Sequence, residues 1–153
     1  MPVKNPDDCQ QAITQGNVEK IKIILSRTKA KALNEPLFGS EYFALRYAVE
    51  YEQVEIAKMF LAHGANPNLG IDDSYWHFIN PPPLYTAAEK GNVELTKALI
   101  DAGANPFHEV QGRKAKTMAK GKECTQLCRE AEAAWKAREE AEEAEEEAQG
   151  AAA

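Results

Sequence analysis

Residues 91–106 read GNVELTKALIDAGANP, and this stretch decides the fold because the chain repeats it. Residues 52–67 (EQVEIAKMFLAHGANP) echo it closely, and residues 16–28 (GNVEKIKIILSRT) more faintly. Each copy opens on a helix-start signal. Asn17 and Asn92 suit the N-cap position, where a side-chain oxygen accepts a free backbone N–H. Glu19, Glu55 and Glu94 fall in the first turn, where the helix dipole favours an anion. An apolar stripe at helical spacing follows: Ile21, Ile24 and Leu25, then Ile56, Phe60 and Leu61, then Leu95, Leu99 and Ile100. Gly64 and Gly103 suit the left-handed position just past a helix end, and Pro67 and Pro106 stop the helix from continuing.

Upstream of each copy lies a second helix, marked by a small residue in a fixed slot. Ala12, Ala48 and Ala87 occupy that slot at intervals of 36 and 39 residues. Together with Ala88 they let the first helix of each unit approach its neighbour closely. No single helix pair can bury its apolar face, so stability must come from stacking. The segment PPLYTAAEKGNVELTKALIDAGANP (82–106) resembles the ankyrin pattern TPLHxAAxxGHxEIVxLLLxxGADPN nearly slot by slot, and ALRYAVEYEQVEIAKMFLAHGANPN (44–68) is close behind. The chain is similar to ankyrin-repeat proteins over most of residues 7–110. Against a period of about 33 residues, its spacings leave roughly three and six extra residues between units. The resemblance implies an all-α solenoid of stacked helix-turn-helix units with finger loops. About three repeats are expected, then a truncated capping unit: 7–34, 38–70, 77–109 and 110–138. Residues 1–6 read as a loose N-terminus and residues 139–153 as a Glu/Ala-rich helical tail.

Composition bounds the functional classes. The net charge of −6 is local to the C-terminal region: residues 129–147 hold nine glutamates against three basic residues, and the rest of the chain balances. A neutral body gives no reason to expect nucleic-acid binding, which needs a basic face. No apolar run approaches the length that spans a bilayer, and the N-terminus lacks a secretory layout. Three cysteines without tight spacing fit a reducing compartment. The cytoplasm is the expected location, with the nucleus as second choice, and a monomer is the expected state.

Several places depart from the family pattern. Glu52 stands in the inter-helix turn where the family has Gly, so a positive φ there would cost about 1 kcal/mol. The link 29–42 replaces the usual finger turn. Residues 69–83 (LGIDDSYWHFINPPP) carry the longer insertion and four aromatic rings. Residues 108–122 resemble the family's GxTPLxxA start, with Lys116 where Leu is expected. A last helix begins near Glu123, with Cys124, Leu127, Cys128, Ala131 and Trp135 on one stripe. Beyond Arg138 the stripe gives way to AEEAEEEA; alanine favours helix, whereas like charges at i,i+4 oppose it. A fraying, solvated extension is expected.

Each candidate site also has a plainer reading. Cys124 and Cys128, four apart on a helix, read as core thiols, as does Cys9; neither metal nor cofactor is expected. His63, His77 and His108 are isolated in sequence, and no nucleophile, base and oxyanion set is visible, so no enzyme is expected. Arg113, Lys114, Lys116, Lys120 and Lys122 form a basic cluster, either neutralised by nearby glutamates or open to an acidic partner. Tyr75, Trp76, Phe78 and Ile79 are either folded back as loop filling or exposed as binding anchors, a role in which Trp and Tyr are enriched. By resemblance, the first-helix positions before the turn, Thr14, Gln15, Glu50, Tyr51, Glu89 and Lys90, line a concave groove with the fingers and bind another protein. Residues 12–25 (AITQGNVEKIKIIL) also resemble the start of the small, free-standing myotrophin-like ankyrin proteins, which implies regulation of actin capping protein. A structural or assembly role for the acidic C-terminal helix is the alternative.

Overall fold

The computed structural model describes residues 6–35, 43–69 and 81–152. The helices alternate in antiparallel pairs: α1 (Pro6–Thr14) with α2 (Val18–Ser26), α4 (Ala44–Glu50) with α5 (Val54–Ala62), and α6 (Pro83–Lys90) with α7 (Val93–Asp101). A short α3 (Ala30–Leu33) lies in the link that replaces the first finger turn; Leu33 is its buried residue. The fourth unit opens with a hairpin, β1 (Glu109–Val110) antiparallel to β2 (Arg113–Lys114), then α8 (Ala115–Met118) and α9 (Lys122–Ala152). These two-residue strands were not expected from the sequence.

The pairs stack in register. One row runs α1, α4, α6, α8 and the other α2, α5, α7, α9, each helix touching the next in its row. The inner row packs through the predicted small residues: Ala12, Ala48, Ala87 and Ala88 have no exposed surface. Between the rows lies the core, where Ile13, Ile21, Val49, Ile56, Phe60, Leu84, Leu95 and Leu99 are at most 2% exposed. The stripe residues Ile24, Leu61 and Ile100 pack partly buried against it. Burying a side chain of this size contributes roughly 1.5–3 kcal/mol, and most of that burial is against a neighbouring element.

Caps and stops follow the sequence. Asn17 Oδ1 accepts from Lys20 N and Asn92 Oδ1 from Leu95 N, both at 3.0 Å. Gly64 and Gly103 sit at φ 99° and 89°. In the α9 stripe Cys124, Cys128 and Ala131 are buried, while Leu127 and Trp135 are half-buried. The Glu/Ala-rich tail is helical: α9 continues past Arg138 to Ala152 as one helix of 31 residues. Trp135 Nε1 donates to Glu139 at 2.8 Å, and Arg138 lies 3.6 Å from Glu142. Contacts one turn apart of this kind support a helix that alanine already favours. From Lys136 to Ala152 every residue is exposed.

The inter-helix turn is the same in all three pairs. Gly16, Glu52 and Gly91 hold φ values of 63°, 54° and 73°. A Cβ at Gly91 would lie 3.1 Å from both Lys120 Cβ and its carbonyl oxygen, so glycine serves both the conformation and a close approach. Glu52 bears the strain of a side chain in the left-handed region. We expect Glu52→Gly to gain up to about 1 kcal/mol and Gly91→Ala to lose at least that much, measured by urea unfolding; opposite signs would contradict the turn geometry.

Candidate protein-binding face

The stacking gathers the inner-helix ends that the sequence singled out. Glu50 closes α4 with Tyr51 just beyond it, and Lys90 closes α6. Lys90 Nζ lies 3.7 Å from Glu50 Oε1, which links two units across this face. Tyr51 is 47% exposed, and its ring lies 4.9 Å from that of Tyr47 at a 43° tilt. Gln15 is exposed, whereas Thr14 and Glu89 are only half-exposed. Tyr85, one turn before Glu89, is buried, and this burial raises its phenol above the ordinary range, with the Glu89 carboxylate adding to it. Tyr75, Trp76, Phe78 and Ile79 lie outside the described residues.

Tyr47 was missed by the sequence reading. The available signal was its i,i+4 spacing to Tyr51, which puts both rings on one side of the helix.

A pair of asparagine clamps also went unread, and it fixes the loops at the other end of the units. Asn34 Oδ1 accepts from Asn66 N at 2.8 Å, and its Nδ2 donates to Gly64 O at 3.1 Å. Asn68 repeats the arrangement one unit later, accepting from Asn105 N at 2.8 Å and donating to Gly103 O at 3.0 Å. His63 Nε2 lies 2.7 Å from Thr28 O and adds to the first of these junctions. The final Asn of GANPN was the readable sign. Replacing Asn68 with alanine leaves a part-buried N–H and C=O without their partners.

Two of the five cations of the basic cluster are paired with carboxylates among the described residues. Lys116, in the slot where the family carries Leu, reaches Glu132 of α9, and Glu132 is itself buried. This pair explains the departure: a half-buried ammonium replaces an apolar contact between α8 and α9. Lys114 lies 3.7 Å from Glu109 and sits with its Nζ 5.1 Å from the centre of the Phe107 ring. The partners of these two lysines, Glu109 and Glu132, both precede the run that starts at Glu139.

All three cysteines are buried and unpaired by disulfides. Burial pushes the thiols of Cys9 and Cys128 up to about 11 from an ordinary value of 9.0. Among the described residues no group of three His, Cys, Asp or Glu side chains is set to hold a metal ion. Nor is any described helix long and apolar enough to cross a membrane.

The ankyrin repeat family model matches residues 41–71 and 82–109. The chain is similar to the crystal structure of the human ASB11 ankyrin repeat domain, with 26% identity and a TM-score of 0.62, over 80% of this chain and 52% of that one. Its fold is also similar to the ankyrin repeat domain of Bcl-3, a unique member of the IkappaB protein family, with 18% identity and a TM-score of 0.63, over 79% and 50%. The chain spans about half the length of these two domains. No curated protein matches it. With its stacked helix pairs, this chain has the ankyrin-repeat fold and carries ankyrin repeats at residues 41–71 and 82–109. Ankyrin-repeat domains are in general protein-protein interaction modules, typically non-enzymatic scaffolds.

Two outcomes check this description. Asn68→Ala should cost about 1–3 kcal/mol in urea unfolding; a neutral effect would mean the clamp is idle. For the thiols, the folded state favours the protonated form, so their contribution is complete below pH 9 and is lost as pH rises towards about 11. Stability of the parent chain should therefore fall between these values by on the order of 1 kcal/mol per thiol more than that of a Cys9→Ala/Cys128→Ala variant. Parallel curves would contradict it.

Proposed function

We propose that this chain binds a segment of another protein in the groove framed by the ends of α1, α4 and α6 and by the finger loops. The observation that carries the reading is Tyr51, an exposed aromatic ring held beside Tyr47 and next to the Glu50–Lys90 pair. Large, stiff side chains of this kind supply contact area at low entropic cost and are enriched among energetically dominant interface residues. Glu89 and Gln15 extend the same line of positions. The finger containing Tyr75, Trp76, Phe78 and Ile79 is proposed as the second wall, on the strength of its composition.

Regulation of actin capping protein is a finer version that rests on the resemblance of residues 12–25. In a seeded actin assembly assay it requires relief of capping, and its absence removes that version. A second reading is favoured by α9, whose exposed length from Lys136 to Ala152 offers a lever for assembly with other chains.

Affinity capture with quantitative mass spectrometry separates the two. Under the groove reading, specific partners fall at least about fivefold, the equivalent of 1 kcal/mol, with Tyr51→Ala and with a Tyr75/Trp76/Phe78 triple alanine variant. They persist when residues 139–153 are removed. Loss on removing the tail, with no effect of Tyr51→Ala, would replace the groove by the α9 reading.

A further inference from the structure

We infer that the segment taken by the groove is basic, an extended stretch of another protein that sets a lysine or arginine side chain on Tyr51 between the carboxylates of Glu50 and Glu52. This rests on the groove reading above and adds the chemistry of the occupant.

Among the described residues, two large apolar side chains are exposed: Ile23 on α2 and Tyr51 at the end of α4. Tyr51 belongs to the inner row, and its contact with Tyr47 holds the ring in place. An aromatic face carries negative charge density and attracts a cation within about 6 Å of its centre. The surroundings strengthen that preference. Glu50 and Glu52 flank Tyr51 in the chain, and both are exposed. Glu89 follows at the matching position of the next unit. Lys90 is the cation that belongs to these helix ends, and Glu50 already engages it at 3.7 Å. Glu52 is met by a neutral donor, Asn92 Nδ2 at 3.2 Å. The ends of α4 and α6 therefore set three carboxylates against one ammonium that is already paired. The corresponding positions on α1, Thr14 and Gln15, are uncharged. The next cation along the ridge is Lys120, whose backbone N–H bonds Ala88 O at 2.9 Å in the fourth unit.

A basic side chain arriving at Tyr51 meets a ring and two flanking carboxylates; an acidic one meets like charge. Such patterning selects partners by repulsion as much as by attraction.

The test uses the full-length chain and two fluorescein-labelled Gly/Ser dodecapeptides, one with four arginines and one with four glutamates, followed by fluorescence anisotropy. The arginine peptide should bind and the glutamate peptide should not. Tyr51→Ala should weaken the arginine peptide at least about fivefold, Tyr51→Phe should preserve it, and Glu50→Gln/Glu52→Gln should weaken it and flatten its salt dependence. Neutralising Glu142, Glu143, Glu145, Glu146 and Glu147 to glutamine should leave the Tyr51 dependence intact. Circular dichroism verifies that each variant is folded. Binding lost with the tail glutamates but indifferent to Tyr51→Ala would overturn the proposal, as would no binding of either peptide. Tyr51-dependent binding of the glutamate peptide would overturn the basic occupant while leaving the groove reading in place.

Discussion

Close lateral packing of the inner helices is the constraint on which everything else depends. Ala12, Ala48, Ala87 and Ala88 are wholly buried in that row, and their small side chains set how near one unit comes to the next. That approach brings Lys90 to Glu50 and Asn92 to Glu52. It also brings the Gly91 backbone against Lys120, where a Cβ would crowd. At the opposite end of the units, the clamps of Asn34 and Asn68 tie each loop to the next. A continuous core runs between these two sets of junctions.

Much of this could be read in advance because helix ends and apolar stripes are local signals. Asn17 and Asn92 cap, Gly64 and Gly103 stop, and the stripe positions bury, all as spacing and side-chain chemistry require. The Glu52 turn was legible as a strain, since its neighbours in register are Gly16 and Gly91. The rest depended on contacts between distant residues. The Asn68 clamp reaches Gly103 and Asn105, and Lys116 reaches Glu132, sixteen residues away; neither partner is implied by the local pattern. The persistence of α9 past Arg138 turned on a balance of alanine propensity, pairs one turn apart and like-charge repulsion, in which the first two prevailed.

The candidate face shows the same division. Glu50, Tyr51 and Lys90 were placed by register alone, and the stack brought them together. The Tyr47 ring, on the same side of α4, was legible only as an i,i+4 spacing, whereas the contacts of Lys90 with Glu50 and of Asn92 with Glu52 needed adjacent units side by side. The fold thus biases the charge at these helix ends, where Glu50, Glu52 and Glu89 stand against the single ammonium of Lys90. Fold and recognition share one cause, since the spacing that buries the alanines also aligns the helix ends.

The most direct test is therefore to disturb the spacing itself. Urea unfolding of Ala48→Leu, set against Gln15→Leu at an exposed inner-helix end, reads the inner-row packing. The account predicts a loss of about 1–3 kcal/mol for the first and a change within about 0.5 kcal/mol for the second. Equal, small effects at both positions would mean that the inner helices do not pack through their alanines.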